Sequence, residues 1–345
     1  MPRTESEILN DLNISTRAFL RDTVMAINHD NFFSSRLLKR SQPFPGGDKV
    51  EQPLEYGEET VETLGEYGQY DFQPEDLLDR ADYNIKHING TMTMSELRMV
   101  IQNKGKAADI KLAMIKSKNL SRTMKKKFSS LLFTPVADLG DNDPDSLIKI
   151  VATRNNTVGG INAATTTEFN WNPFLLDYTA VDPSYANLVD PTSDYYIEKI
   201  LRNLVGPLTI DKDAPTIGLT NQVIWDAYEE VLRADKRFDS RYDVDGGFET
   251  LRFRRMKIAV DANVPGGKLN TVSDSEGMLM AINEEYIGYQ HSPAANFKWT
   301  PWKKLEQQPV YASLLDWYGT LWCSRRDRHG AVLGLPTENQ VYGTP

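Results

Sequence analysis

The stretch AADIKLAMIKSKNLSRTMKKKFSSLL, residues 107–132, carries the strongest periodic signal in the chain. Ile110, Ala113, Met114, Ser117, Leu120, Met124, Phe128 and Leu131 recur at three- and four-residue steps, which predicts one long amphipathic helix. Lys111, Lys118, Arg122 and Lys125 fall to one side of that stripe. Lys104, Lys106, Lys116, Lys126 and Lys127 add to the charge, and Asp109 is the only acid between residues 104 and 127. A helix with an apolar stripe and a nearly pure basic flank has two surfaces to satisfy, a core below it and an anionic partner beside it.

The segment upstream has the opposite sign. Val61 to Tyr70 is β-prone with repeated Gly, QPEDLLDRAD interrupts, and Tyr83 to Ser95 resumes with β-like alternation, so a long two-stranded excursion is expected. Glu51, Glu55, Glu58, Glu59, Glu62, Glu66, Asp71, Glu75, Asp76, Asp79 and Asp82 face Arg80 as the one base. An isolated two-stranded ribbon is marginal in water, so a long acidic one calls for packing by another body, such as a second subunit. Acidic ribbon and basic helix are complementary, within one chain or between copies arranged head to tail.

Further out, Thr4 and Glu7 have capping-box spacing, and Leu9, Leu12, Thr16, Phe19, Thr23 and Ile27 predict a helix over residues 5–28. SQPFPGGDKVEQP, rich in Pro and Gly, reads as an extended connector, making the first fifty or so residues an arm. On the C-terminal side, turn signals dominate residues 133–215, with one helix expected from Ser193 to Leu204. A strand at Thr216 to Leu219 precedes a helix capped by Thr220 or Asn221, whose buried face is Ile224, Ala227, Tyr228, Val231 and Leu232. Strands follow at 251–253, 257–260, 279–282, 287–291, 297–299, 310–323 and 330–335, giving an α+β fold.

Composition excludes several classes. A net charge of -9 and a pI near 5.1 argue against a surface built wholly to coat nucleic acid, while leaving room for a local basic patch. Cys323 stands alone, so no intramolecular disulfide forms. MPRTESEILNDLN lacks the apolar core of a signal peptide, and no window reaches membrane-span length, so no membrane partner is expected. RYDVDGGFETLR places Asp243, Asp245 and Gly246 as in a calcium loop, but Arg241 and Arg252 occupy positions that need carboxylates, so it reads as a turn. Asp138, Asp141, Asn142, Asp143 and Asp145 read as an acidic surface turn. His29, His87, His291 and His329 show no ligand spacing, and no nucleophile elbow, Walker loop or dinucleotide fingerprint is present. No cofactor, metal or catalytic residue is expected. Arg325, Arg326, Arg328 and His329 read as a basic turn between strands, available to a neighbour's acids or to DNA.

Several segments together resemble one family. APTIGLTNQVIWDAYEEVL (214–232), GGFETLRFRRMKIAVDANVPGG (246–267), MLMAINEEYIGYQHSPAANFKWTPW (278–302) and YASLLDWYGTLWCSRRDRHGAVLGL (311–335) stand in the order and spacing of tailed-bacteriophage major capsid proteins. YGQYDFQPEDLLDRADYNIKHINGTMTMSELRMVIQNKGKAADIKL (67–112) resembles that family's extended loop leading into its spine helix, and GGINAATTTEFNWNPF (159–174) the start of its axial domain. The resemblance covers roughly residues 50–335 and implies the Hong Kong 97 capsid fold. It divides the chain into an N-terminal arm (1–50), an extended β-hairpin loop (51–94), a peripheral domain with the spine helix (95–150 and 286–345) and an axial domain (151–285).

The resemblance further implies self-assembly into hexamers and pentamers of an icosahedral virion shell, formed in the cytoplasm of a bacterial host and enclosing double-stranded DNA contacted without sequence preference. Portal, scaffolding and decoration proteins are the other partners it implies. With about fifty residues before the loop, the scaffold is expected to be a separate protein. Residues 51–82 contain no Lys, so the lysine–asparagine cross-link of some members is not expected from the loop tip, and Lys86 is the nearest candidate. Expected intersubunit contacts are Glu58, Glu59, Glu62, Glu66, Asp76 and Asp79 on the loop, Lys111, Lys118, Arg122, Lys125 and Lys126 on the helix, and Arg325, Arg326 and Arg328. Two other readings are an encapsulin-type compartment enclosing cargo enzymes and a hydrolase built from scattered acids in the DNDPD region.

Overall fold

A computed structural model describes residues 6–14, 32–55, 61, 63–65, 78–97, 106–166, 169–178, 188–234, 242–245, 248–261, 263–264 and 277–335. Two sheets organise it. The first runs, edge to edge, through Phe174–Asp177, Gly330–Leu335, Gly277–Ile282, Ile217–Thr220, Met256–Val260, Phe248–Phe253 and Tyr242–Asp245. Its central strands are apolar runs, GMLMAI and GAVLGL, buried along their whole length, as strands covered on both faces must be. Helices Ile197–Leu208 and Gln222–Ala234 cover one face through Ile200, Leu201, Leu204, Tyr228 and Val231. Asn221 caps the second helix, its Oδ1 accepting from the Ile224 N–H at 3.1 Å. The first helix begins at Ile197, not at Ser193, because Asp190 and Ser193 accept from Thr192 and Tyr195 backbone N–H groups and hold that stretch in turns.

The second sheet is centred on Val310–Cys323, flanked on one side by Ile287–His291 and Lys298–Lys304 and on the other by Lys86–Ser95. Gln42–Pro43 adds a short parallel strand beyond Ile287–His291. Under this sheet runs the long helix, Lys106–Leu132, within one residue of its sequence prediction. It packs tightly on Lys86–Ser95, since a Cβ on Gly90 would stand 2.7 Å from Leu120 Cδ1. Phe128 meets Trp317 edge to face at 4.8 Å. Burial of two such rings stabilises by about 1.5–3 kcal/mol each, and their geometry adds roughly 1 kcal/mol.

The acidic excursion is built differently from its expectation. Its paired strands are Lys49–Glu55 and Leu78–Asn84, whereas residues 61 and 63–65 form no strand and 66–70 lie outside the described residues. Val50, Leu54, Ala81 and Tyr83 explain the choice, for they alternate onto one buried face. The expected return strand, Tyr83 to Ser95, divides at Ile85. Its second half enters the sheet because Ile88, Met92 and Met94 face the long helix. Residues 6–14 are helical, and Ile8 and Leu12 pack against Met92, Met94, Trp302 and Tyr311; the predicted continuation to 28 lies outside the described residues beyond 14. Helix Phe32–Lys39 has no counterpart in the sequence reading. Tyr242–Asp245 and Phe248–Phe253 form a hairpin, as a turn at RYDVDGGFETLR requires.

The chain crosses between the sheets twice, at residues 283–286 and 324–329, and the crossings are tied together. Ser324 N–H donates to Tyr286 O at 2.9 Å, and Asn283 N–H donates to His329 Nδ1 at 3.1 Å. His329 is fully buried, and burial, with the nearby Arg326 charge, lowers its pKa to about 3. Above pH of about 6.5 the ring is neutral folded and unfolded, so it adds no pH dependence. Below that, the unfolded chain takes up a proton the native state refuses, and stability falls by up to about 1.4 kcal/mol per pH unit until near pH 3. In thermal melts between pH 7 and 4, His329→Gln is expected to show a shallower acid decline than the parent; parallel curves would contradict this assignment.

Candidate assembly surfaces

Three groups of residues were expected at subunit contacts, and the structure treats them unequally. On the ribbon, the outward face carries Lys49, Glu51, Arg80 and Asp82. Glu51 lies directly opposite Asp82, a repulsive pair that Arg80 bridges at 3.2 and 3.5 Å, with Lys49 3.9 Å from Asp82. Asp79 is exposed and accepts from the Arg80 N–H. Glu58, Glu59, Glu62, Glu66 and Asp76 lie outside the described residues. The ribbon's apolar residues increase in exposure away from the root, with Leu78 63% and Val61 92% exposed.

The ribbon root is fixed to the body. Asp82 N–H donates to Gly159 O at 2.8 Å, and a Cβ on Gly159, whose φ is +60°, would stand 2.7 Å from Ala81 Cβ. Tyr83 OH donates to Cys323 O at 2.7 Å, and burial raises its pKa well above the usual phenol value. Beside the root lies a polar cleft of about 660 Å³ lined by Lys49, Lys86, Lys149, Asp82, Asp141 and Asp143. Its charges are largely paired. Lys149 binds Asp145 at 2.6 Å, Lys86 donates to Asp141 O, and Asp143 accepts from Gly140 N–H. Among the described residues no group of acids, His or Cys is arranged to hold a metal.

On the long helix, Lys111, Lys118, Arg122, Lys126 and Lys127 are exposed and have no ion-pair partner among the described residues. The position of Lys125 is helical, but its side chain is outside what the structure describes. This face therefore matches its prediction as a solvated basic stripe. Met114 and Ile115, at 39% and 55% exposure, extend it with apolar surface.

The third group is corrected. Arg326 is completely buried, donating to the carbonyls of Ile150, Trp171, Lys149 and Thr153 and to Asn156 Oδ1 at 2.7–3.2 Å. Burial lowers its pKa to about 10, still far above neutrality. It has nothing left to offer a neighbour. Arg328 is 8% exposed and lies 3.3 Å from Asp327 and 3.6 Å from Asp213, and Arg325 pairs with Asp327 at 2.9 Å while lying over the Tyr286 ring. The run is drawn inward because it connects two buried strands, where backbone carbonyls need donors. Sequence reading also missed Arg36, which reaches Glu284 with two bonds of 2.8 Å and pins helix Phe32–Lys39 to the crossing between the sheets.

No family model matches the chain and no curated protein is similar to it in sequence. Its fold does match solved structures. The capsid of a native GTA particle superposes with a TM-score of 0.56 at 10% identity over 88% of this chain and 90% of that one. The capsid of cyanophage A-1(L) gives 0.56 at 13% identity over 91% and 92%, and that of cyanophage P-SCSP1u gives 0.53 at 9% identity over 90% and 89%. At such identities the likeness lies in the fold, which is α+β and of the Hong Kong 97 capsid type.

Proposed function

We propose that this chain is the major capsid protein of a tailed phage, many copies of which form the hexamers and pentamers of an icosahedral shell around double-stranded DNA. The observation that carries this reading is the match of the whole architecture, with around nine-tenths of both chains superposed, to subunits of capsids. On this reading the arm is residues 1–50, the peripheral domain is the second sheet with the long helix, and the axial domain is the seven-stranded sheet with its two covering helices. The extended loop is the ribbon carried by Lys49–Glu55 and Leu78–Asn84.

The mechanism is association of complementary surfaces. The acidic ribbon of one copy lies along the basic face of its neighbour's long helix, with Glu58, Glu59, Glu62, Glu66, Asp76 and Asp79 set against Lys111, Lys118, Arg122, Lys125 and Lys126. Each exposed pair contributes only about 0–1 kcal/mol, but repetition around a closed shell multiplies the increment and selects which neighbours fit. A later expansion of the shell reorders ribbon and arm over neighbouring subunits. Scaffold, portal and decoration proteins are separate partners, and DNA is held by weak phosphate contacts that let it slide. Negative-stain microscopy of the protein coexpressed with its genetic neighbours tests the proposal: closed icosahedral shells are expected, and a dispersed monomer under every coexpression condition would overturn it.

A further inference from the structure

Strand Lys86–Ser95 pairs with Val310–Cys323 through ten consecutive residues without a register shift, and among the described residues nothing pairs with its other edge. The opposite edge strand of this sheet, Lys298–Lys304, is guarded by Pro301, by Lys298, Lys303 and Lys304, and by a register irregularity between Thr300 and Lys303. These are the usual devices against unwanted strand pairing. Residues 87–95 have none of them. The outward direction of their backbone groups is fixed by Lys116, whose Nζ donates to Thr93 O, so in antiparallel alternation His87, Asn89, Thr91 and Thr93 present N–H and C=O outward. Thr91 and Thr93 also have exposed side chains. Beside this edge runs a groove of about 420 Å³ lined by Thr93, Met94, Leu97, Leu112, Lys116 and Val310, with Leu97 58% exposed.

We propose that this edge accepts an added strand from a second copy of the chain, and that the strand is the β-prone ribbon segment around Val61. The proposal rests on the shell reading above and deepens it by naming the seat of the ribbon. Charge selects the occupant. The groove's rim is cationic, with Lys111 and Lys118 exposed on the helix and Lys116 at the edge itself, and the segment offers Glu59, Glu62 and Glu66. Apolar complementarity agrees, because Val61 is 92% and Leu64 40% exposed in the single subunit and the groove offers Leu97, Leu112 and Val310 to cover them. Strand addition then fixes register through backbone bonds, while the lysines reject segments of other charge.

The chain's chemistry makes the test clean. Its one thiol, Cys323, is buried, with burial raising its pKa to about 12, so introduced cysteines are the reactive ones. Val61→Cys and Thr93→Cys chains, prepared separately, are assembled together and treated with a short bis-maleimide, whose span tolerates a register slip. A mixed covalent dimer in assembled material, absent from either variant alone and from unassembled subunits, is the expected result. Shells that form normally but give no mixed dimer would overturn the strand-addition proposal and leave the shell reading standing; parent protein that never assembles would count against the shell reading. Thr91→Pro supplies the second arm. Following Gly90 and lacking an inward N–H bond to lose, it is expected to leave the subunit folded, yet to raise the concentration needed for assembly at least roughly ten-fold. Assembly at the parent's concentration by a folded Thr91→Pro chain would likewise contradict strand addition.

Discussion

Replacement of Arg326 by methionine is expected to cost the subunit about 4 kcal/mol or more, enough to prevent recovery of folded protein at physiological temperature. Five acceptors converge on the guanidinium, four of them backbone carbonyls in a region closed to water. Methionine fills comparable space but strands those oxygens, each at about 1–3 kcal/mol. Lysine retains the charge, yet its single ammonium has three donors and cannot reproduce the planar fork, so Arg326→Lys is expected to fall between parent and Met variant. Chemical denaturation of the isolated subunit reads the difference. Variants as stable as the parent would mean that the convergence of carbonyls on this side chain does not hold the 149–156 and 171 segments against the second crossing.

Reversal of charge on the long helix has the other large effect, at assembly and not at folding. Lys118 and Arg122 are exposed and unpaired among the described residues, so Lys118→Glu with Arg122→Glu is expected to change subunit stability by no more than about 0.5 kcal/mol. The same change sets acids against the acidic ribbon of the neighbour. The concentration at which shells appear is expected to rise at least roughly ten-fold, and Glu59→Lys with Glu62→Lys in the same chain is expected to recover much of the loss. A reversed helix that assembles like the parent would separate the basic stripe from the contact altogether.

Sequence periodicity located the elements whose burial follows a simple pattern. The long helix, the capped helix at Gln222–Ala234 and the strands Ile287–His291, Val310–Cys323 and Gly330–Leu335 were legible because their apolar residues keep the period of a single face or an unbroken buried run. The ribbon was legible as acidic and two-stranded but not in register, because Val50 and Leu54 are its only buried anchors on the outgoing strand and Pro53 sits between them. Lys86–Ser95 looked like more ribbon since a strand's alternation does not reveal its partner; Val310–Cys323 lies more than two hundred residues away. Arg326 was misread for a related reason. Four arginines and acids in a short run have the composition of a solvated turn, and only the orphaned carbonyls of residues 149–153 and 171, contributed from elsewhere, draw one of them inside. Of the candidate contacts, the helix lysines behave as composition suggests, because nothing nearby in the fold competes for them.

Sedimentation velocity of the purified protein at about 0.1 M and about 1 M salt tests self-assembly through opposed charges most directly, since the Debye length falls from roughly 10 Å to roughly 3 Å between them. The expected result is fast-sedimenting shells or capsomer rings at low salt whose proportion changes sharply at high salt. A single subunit-sized boundary, identical in both buffers, would contradict it.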